Sequence, residues 1–242
     1  MWPWHPYGDD GPTLKELAEQ AWSSTDRGYD LLATRFDHTP FRTPDDVVAR
    51  ALSVLDGSAG ESAVGPARFH AGLDVCCGTG AGLARLAERC DVVVGVDRSA
   101  GMLAEARRRV PSAQLVRGDA LAMPLVGAFD IAVSFGAFGH ILVADEALFV
   151  AGVRDALSDG GHFLFVSADP PPPWSQRALF ARGFNAAMRI RNAVKKPAFI
   201  MYYLTFLLPR ARRLLEDAGF EVHEHRGVVD GCVVVHAQRR GR

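Results

Sequence analysis

The sequence predicts an α/β fold: a doubly wound, mostly parallel sheet of seven strands with an antiparallel C-terminal strand, a helical N-terminal extension and a lid insertion after the fifth strand. Three observations predict it. From His70 onward, short apolar runs alternate with stretches of helical periodicity, as strands joined by crossover helices do. A glycine-rich turn follows the first run and opens the first crossover helix. Finally, 242 residues, 48% of them apolar, can bury a core without disulfides or a structural metal.

The first dozen residues, rich in proline, glycine and aromatics, read as an arm. Thr13-Leu-Lys-Glu16 then has the capping-box spacing that starts a helical region. A further helix is announced by Thr43-Pro44-Asp45-Asp46, with Thr43 as cap, Pro44 in the first turn and two acids facing the positive end of the dipole. Val47, Val48, Ala51, Leu52 and Leu55 form its apolar side. A Gly/Ser/Ala stretch over 57–66 links this extension (residues 1–66) to the main domain (67–242). Strands are expected over 72–76, 92–96, 114–117, 129–134 and 162–167, with helices over 81–89, 99–109 and 145–157. After an insertion over 169–209, a helix over 211–218 closes at Gly219, and residues 220–226 and 232–237 complete the sheet.

Charge and cysteine usage narrow the function classes. Lys plus Arg number 27 against 28 Asp plus Glu, a net charge of -1, so no broad phosphate-binding surface and no nucleic-acid partner is expected. The four cysteines, Cys76, Cys77, Cys90 and Cys232, show no CxxC spacing; they read as reduced thiols, and no metal is expected. The N-terminal residues lack the basic and apolar regions of a signal peptide. The most apolar run, 198–208, is well short of the ~20 residues that cross a bilayer. A soluble, cytoplasmic protein is the expectation.

The glycine turn is spaced Gly78-x-Gly80-x-Gly82, not the G-x-G-x-x-G of a dinucleotide site, and Asp74 in the strand before it would repel a pyrophosphate. A carboxylate there suits a ligand with positive charge. Asp97 ends the second strand, where an acid can hold both hydroxyls of a ribose, and Asp119 ends the third, within reach of an adenine amino group. Each acid alone is also explicable as a loop or cap residue; the ordered set is what points to a nucleoside-bearing cation.

These residues resemble the class I S-adenosylmethionine-dependent methyltransferases, whose sheet is Rossmann-like. The matching pieces are Leu73-Asp-Val-Cys-Cys-Gly-Thr-Gly80, Val93-Val-Gly-Val-Asp97, Ser99-Ala-Gly-Met-Leu103, Gly118-Asp-Ala120, Phe129-Asp-Ile131 and Leu157-Ser-Asp-Gly-Gly161. The Asp-x-Cys-Cys-Gly-Thr-Gly form is similar to that of quinone-biosynthesis methyltransferases, with Cys76 where the common family loop has glycine. The resemblance implies S-adenosylmethionine as cofactor and S-adenosylhomocysteine as product. It implies that Asp74 and the loop Cys77, Gly78, Thr79, Gly80 hold the methionine end, with Cys76 beside them, and that Asp97 and Arg98 lie at the ribose. Met102 would cover one adenine face and Gly118, Asp119 and Ala120 its edge, while Ser134, Phe135 and Gly136 would pass beneath the sulfonium. Neither Cys76 nor Cys77 reads as a nucleophile, since no base lies near in sequence.

In the family the methyl moves by direct in-line displacement, for which a general base is optional. Candidates are His140, just past the fourth strand, and Asp169, just past the fifth, both on the ligand-facing edge of an open sheet. His140 is also explicable as a residue that caps or lines the following helix. Upstream, Tyr29, Phe36 and Phe41-Arg-Thr-Pro44 are candidates for a lid, with Arg42 a candidate partner of the cofactor carboxylate; Thr43 and Pro44 also have their capping explanation.

From 170 to 215 there are nine cations and no acid. Within this insertion, 175–194 is an amphipathic helix with Leu179, Phe180, Phe184, Met188, Ile190 and Val194 toward one side, which is expected to cover something. Three accounts stand: a lid packed on the sheet with solvated arginines; a substrate pocket using Tyr29, Phe36, Phe138, Phe184, Met188 and Tyr202 for an apolar or aromatic acceptor, with a cation for an anionic group; or contact of the basic 177–196 segment with an anionic membrane surface. The leading expectation is a methyltransferase acting on a small molecule. The others are a membrane-surface enzyme acting on a lipid or quinone, and a cofactor-binding protein without methyl transfer.

Overall fold

The computed structural model describes residues 5–56 and 66–241. The stretch expected to link the extension to the main domain lies, apart from Pro66, outside these residues, as do the first four residues of the arm.

Seven strands form one sheet in the order β3-β2-β1-β4-β5-β7-β6. Five run parallel: β1 (Phe69–Val75), β2 (Cys90–Asp97), β3 (Gln114–Arg117), β4 (Phe129–Ser134) and β5 (Leu157–Ser167). β7 (Val233–Arg239) is antiparallel to both β5 and β6 (Phe220–Arg226). The crossovers are α4 (Ala81–Ala87), α5 (Ala100–Arg109), α6 (Glu146–Ala156) and α8 (Leu208–Asp217). Both faces are covered, so central strands are apolar on both sides: in β4, Ala132 packs in one layer and Ile131 and Val133 in the other.

The N-terminal extension comprises α1 (Leu14–Ala21), α2 (Thr25–Leu32), a 3-10 turn (Ala33–His38) and α3 (Asp45–Ser53). The Thr13–Glu16 capping box forms as expected. α3 starts differently: Pro44 occupies the cap position and its carbonyl receives the Val47 and Val48 N–H groups, so Thr43 does not cap it. Several boundaries also move. β1 begins at Phe69 and ends at Val75, because Cys76 turns into the left-handed region at φ 59°. β5 reaches back to Leu157, taking in the Ser-Asp-Gly-Gly turn.

Carboxylates fasten this extension to the sheet's ligand-facing edge. Asp30 accepts from the Ser99 hydroxyl at 2.6 Å and the Gly101 N–H at 2.9 Å, at the positive end of α5. Asp37 accepts from the Thr79 hydroxyl at 2.6 Å, and Asp26 meets Arg98 at 3.0 Å.

The insertion forms α7 (Gln176–Val194), capped by Ser175, and an irregular segment over 195–207. Here the expectation about packing is overturned. Ala178, Ala181 and Asn192 are the buried residues of α7, whereas Leu179, Phe180, Ile190 and Val194 are exposed. Small residues let the helix lie close, and two asparagines fix its rotation. Asn192 exchanges hydrogen bonds with the backbone of Phe199, and Asn185 does the same with Tyr203. A side-chain pattern marks an apolar side, but these polar clasps decide which side faces in.

Candidate active site

The ends of β1, β2 and β3, the extension and the 195–207 segment enclose a cavity of about 880 Å³, within the size range of small-molecule sites. It has two chemically distinct ends.

At one end stand the three strand-end acids. Asp97 accepts the Gly78 N–H on one oxygen and the Ser99 N–H on the other, both at 2.9 Å, which leaves one lone pair on each oxygen. Asp74 is buried against α4; its Oδ2 has no hydrogen-bond partner and lies where a Cβ on Gly82 would approach to 2.4 Å. Burial pushes the Asp74 carboxyl up to about 8, with the Asp97 charge adding to it, and burial raises Asp97 as well. A cation seated among these acids would relieve both. Gly78 takes φ 52° with open space where a side chain would stand, so backbone can approach a ligand there. Asp119 receives the Leu121 N–H at 3.0 Å and meets Arg98 at 3.3 Å. Burial pushes the Cys76 and Cys77 thiols up, which suits wall residues and not nucleophiles.

At the other end the walls are largely aromatic and aliphatic, and one polar chain runs through them. The Tyr29 hydroxyl lies 2.6 Å from His140 Nε2, and His140 Nδ1 lies 2.6 Å from the Ile200 carbonyl. A carbonyl can only accept, so Nδ1 carries the proton and Nε2 accepts from Tyr29. Burial holds the His140 imidazole below its ordinary value, so it is neutral near pH 7. Tyr29 stacks on Phe199 and meets Phe36 edge-on. Gly28 makes this possible, since a Cβ there would stand 2.7 Å from the Phe199 ring.

The family described as "Methyltransferase domain" matches residues 73–161. A demethylmenaquinone methyltransferase of Beutenbergia cavernae is 30% identical over 226 residues, covering 88% of this chain and 89% of that protein. The chain belongs to the S-adenosylmethionine-dependent methyltransferases. It is an enzyme, and the expectation of a cofactor-binding protein without methyl transfer falls away. A dTDP-3-amino-3,6-dideoxy-alpha-D-glucopyranose N,N-dimethyltransferase of Streptomyces fradiae is 44% identical over 116 residues, covering 48% of this chain and 44% of the relative. Among solved structures, the DhpI–SAH complex superposes with a TM-score of 0.66 at 19% identity, over 95% of this chain and all of that one, and so shares the fold.

The residues at the acidic end fit the donor of this methyltransferase family. An orphaned acid oxygen awaits a cationic group, Asp97 retains two lone pairs for two hydroxyls, and the Gly78 turn leaves room for both. All the residues expected at the cofactor line the cavity except Gly80 and Ser134. Gly80 sits behind the loop at φ 89° as the cap of α4, and the buried Ser134 hydroxyl donates to the Val75 carbonyl at 2.8 Å, tying β4 to β1. Arg42 lines the cavity with its charge shared by Asp45 at 2.5 Å and Asp37 at 3.4 Å. Of the expected bases, only His140 reaches the cavity. Asp169 is exposed outside it, paired with Arg226 at 2.6 Å, and that guanidinium holds its carboxyl below the usual range. Tyr29, Phe36, Phe138 and Tyr202 line the cavity. Phe184 and Met188 do not; the Phe184 ring packs edge-on against Tyr203.

Sequence reasoning missed Ile200, whose carbonyl sets the His140 tautomer, and Asn192, which holds Phe199 in place. Two asparagines, Asn185 and Asn192, seven residues apart and so on one side of a helix, were a usable signal for the second. Nothing local marked the first. Among the described residues, no group of three or more His, Cys, Asp or Glu could hold a metal ion.

Proposed function

We propose that this methyltransferase acts on a small, largely apolar aromatic acceptor bearing a hydroxyl, of the quinol type, bound at the Tyr29–His140 end of the cavity. The observation that carries the reading is the hydrogen-bonded chain from Tyr29 through His140 to the Ile200 carbonyl, set in an aromatic wall. The Beutenbergia relative, named for demethylmenaquinone, supports the same class.

When bound, S-adenosylmethionine supplies an electrophilic methyl group and departs as S-adenosylhomocysteine, the electron pair of the broken bond staying on sulfur. The chain's own residues would do the rest. Asp74, Asp97, Met102 and Asp119 orient the donor, and Phe36, Phe138 and Tyr202 exclude water around the acceptor. Tyr29 oxygen accepts the acceptor's hydroxyl proton as its own proton passes to His140 Nε2. The resulting imidazolium keeps its Nδ1 proton on Ile200, and the acceptor oxygen, having lost its proton, would form the new bond to the methyl carbon as the carbon–sulfur bond breaks.

The test compares a reduced naphthoquinone with a dTDP-amino sugar as acceptors, using methyl-labelled donor. Methylation of the quinol is expected, with Tyr29→Phe lowering kcat on the order of 10²-fold while S-adenosylhomocysteine affinity measured by calorimetry stays unchanged. Methylation confined to the amino sugar, or wild-type kcat in Tyr29→Phe, would overturn the reading.

A further inference from the structure

The side of α7 turned to solvent is apolar and basic at once. Leu179, Ile190 and Val194 recur three turns and then one turn apart on a single stripe and are 55%, 67% and 81% exposed. Gly183 and Ala186 fill the turns between them. Phe180 borders the stripe at 66% exposure, and Trp174, ahead of the helix, reaches 85%. Arg182 and Arg189 run along the opposite flank, Arg177 stands in the first turn, and Lys195 and Lys196 follow the last. Arg182 donates to the Pro173 carbonyl and Arg189 lies over the Tyr202 ring; among the described residues neither meets a carboxylate. The Asn185 and Asn192 clasps keep the helix from rolling to hide the stripe.

We infer that this outer face of α7 docks on an anionic membrane surface. Charge decides among occupants. A second copy docking through the same face would bring Arg177, Arg182, Arg189, Lys195 and Lys196 against their equals, with no acid between 170 and 215 to offset them, and like charges facing each other destabilise the contact. A bilayer with anionic headgroups accepts both features, the apolar stripe at the acyl boundary and the arginines and lysines among the headgroups. Among the described residues no helix is long and apolar enough to cross a membrane, so α7 lies on the surface. The 195–207 segment that roofs the acceptor end follows α7 directly, so docking there sets the cavity beside the lipid. The inference goes beyond the acceptor class proposed above, and its test uses no acceptor, so either can fail alone.

Co-sedimentation of the full chain with vesicles of phosphatidylcholine alone and of phosphatidylcholine with phosphatidylglycerol provides the test. Binding is expected to the anionic vesicles only, falling as salt rises. Leu179→Gln with Ile190→Gln, and separately Arg182→Gln with Arg189→Gln, should each weaken it on the order of tenfold, with S-adenosylhomocysteine affinity unchanged as the control for folding. A blue shift of tryptophan emission on vesicle addition, lost in Trp174→Phe, should accompany binding. No binding at low ionic strength overturns the inference. So does equal binding by the Leu179/Ile190 variant, or a solution dimer that this variant converts to monomer.

Discussion

The two ends of the cavity are built in opposite ways. At the donor end, Asp74, Asp97 and Asp119 each close a neighbouring parallel strand, and the glycine turn lies within the same strand–turn–helix unit. At the acceptor end, Tyr29 reaches a histidine 111 residues away, and that histidine is oriented by a carbonyl another 60 residues on. On the proposed reading, the difference teaches that a methyl donor would be held by local backbone geometry, whereas the end proposed for the acceptor is assembled from the extension and the insertion, which can vary without disturbing the sheet.

Substitutions should separate the ends. Asp97→Ala removes two charged acceptor positions and frees the Gly78 and Ser99 N–H groups; donor affinity measured by calorimetry should fall on the order of 10³-fold. An unchanged affinity would dissolve the distinction between the ends. His140→Ala should lower kcat on the order of 10²-fold while leaving donor affinity intact. In the wild type, activity should be lost as pH falls through a value below the ordinary ~6.5 of histidine, because burial keeps the imidazole neutral to lower pH and protonation fills Nε2. The acid limb of the kcat profile reads this, and its persistence in His140→Ala would count against the assignment.

Asn192→Ala leaves the Phe199 N–H and carbonyl without their buried partner. A loss of roughly 2 kcal/mol in denaturant unfolding is expected, together with a kcat defect larger than any change in donor affinity, since Phe199 stacks on Tyr29. The smallest effect on the site should come from acid acting elsewhere. His236 lies among His162, His223 and His225 on the β5–β7–β6 part of the sheet, its Nε2 2.8 Å from His162 Nδ1. Burial, aided by the neighbouring histidines, holds it down at about 4. Its folded-state value is depressed, so its contribution is complete above ~6.5 and lost as pH falls toward 4; unfolding free energy should drop by about 2 kcal/mol across that range. His236→Gln should flatten this decline with no effect on donor affinity at pH 7.

Several misreadings share one cause. Thr43 and Pro44 carry the residue types of a cap and a first turn, yet the helix starts one residue later, with Pro44 at the cap. Asp169 stands just past a strand end, as a catalytic acid should, but Arg226 on β6 holds it outside the cavity. Phe184 and Met188 do not line the cavity, and the Phe184 ring packs edge-on against Tyr203. In each case the local pattern was real and allowed more than one outcome; for Asp169 and Phe184 a partner in another segment, Arg226 and Tyr203, accompanies the outcome taken.

The strand alternation, the glycine turn and the order of the three acids were determined by the chain alone, because each depends on residues within one strand and the turn that follows it. The pairing of Tyr29 with His140, the tautomer imposed by Ile200 and the outward rotation of α7 were decided only in the tertiary structure. Those features rest on a few specific hydrogen bonds that no sequence period announces: the first two join segments that meet only once the sheet has formed, and the third depends on the asparagine clasps to the segment that follows α7.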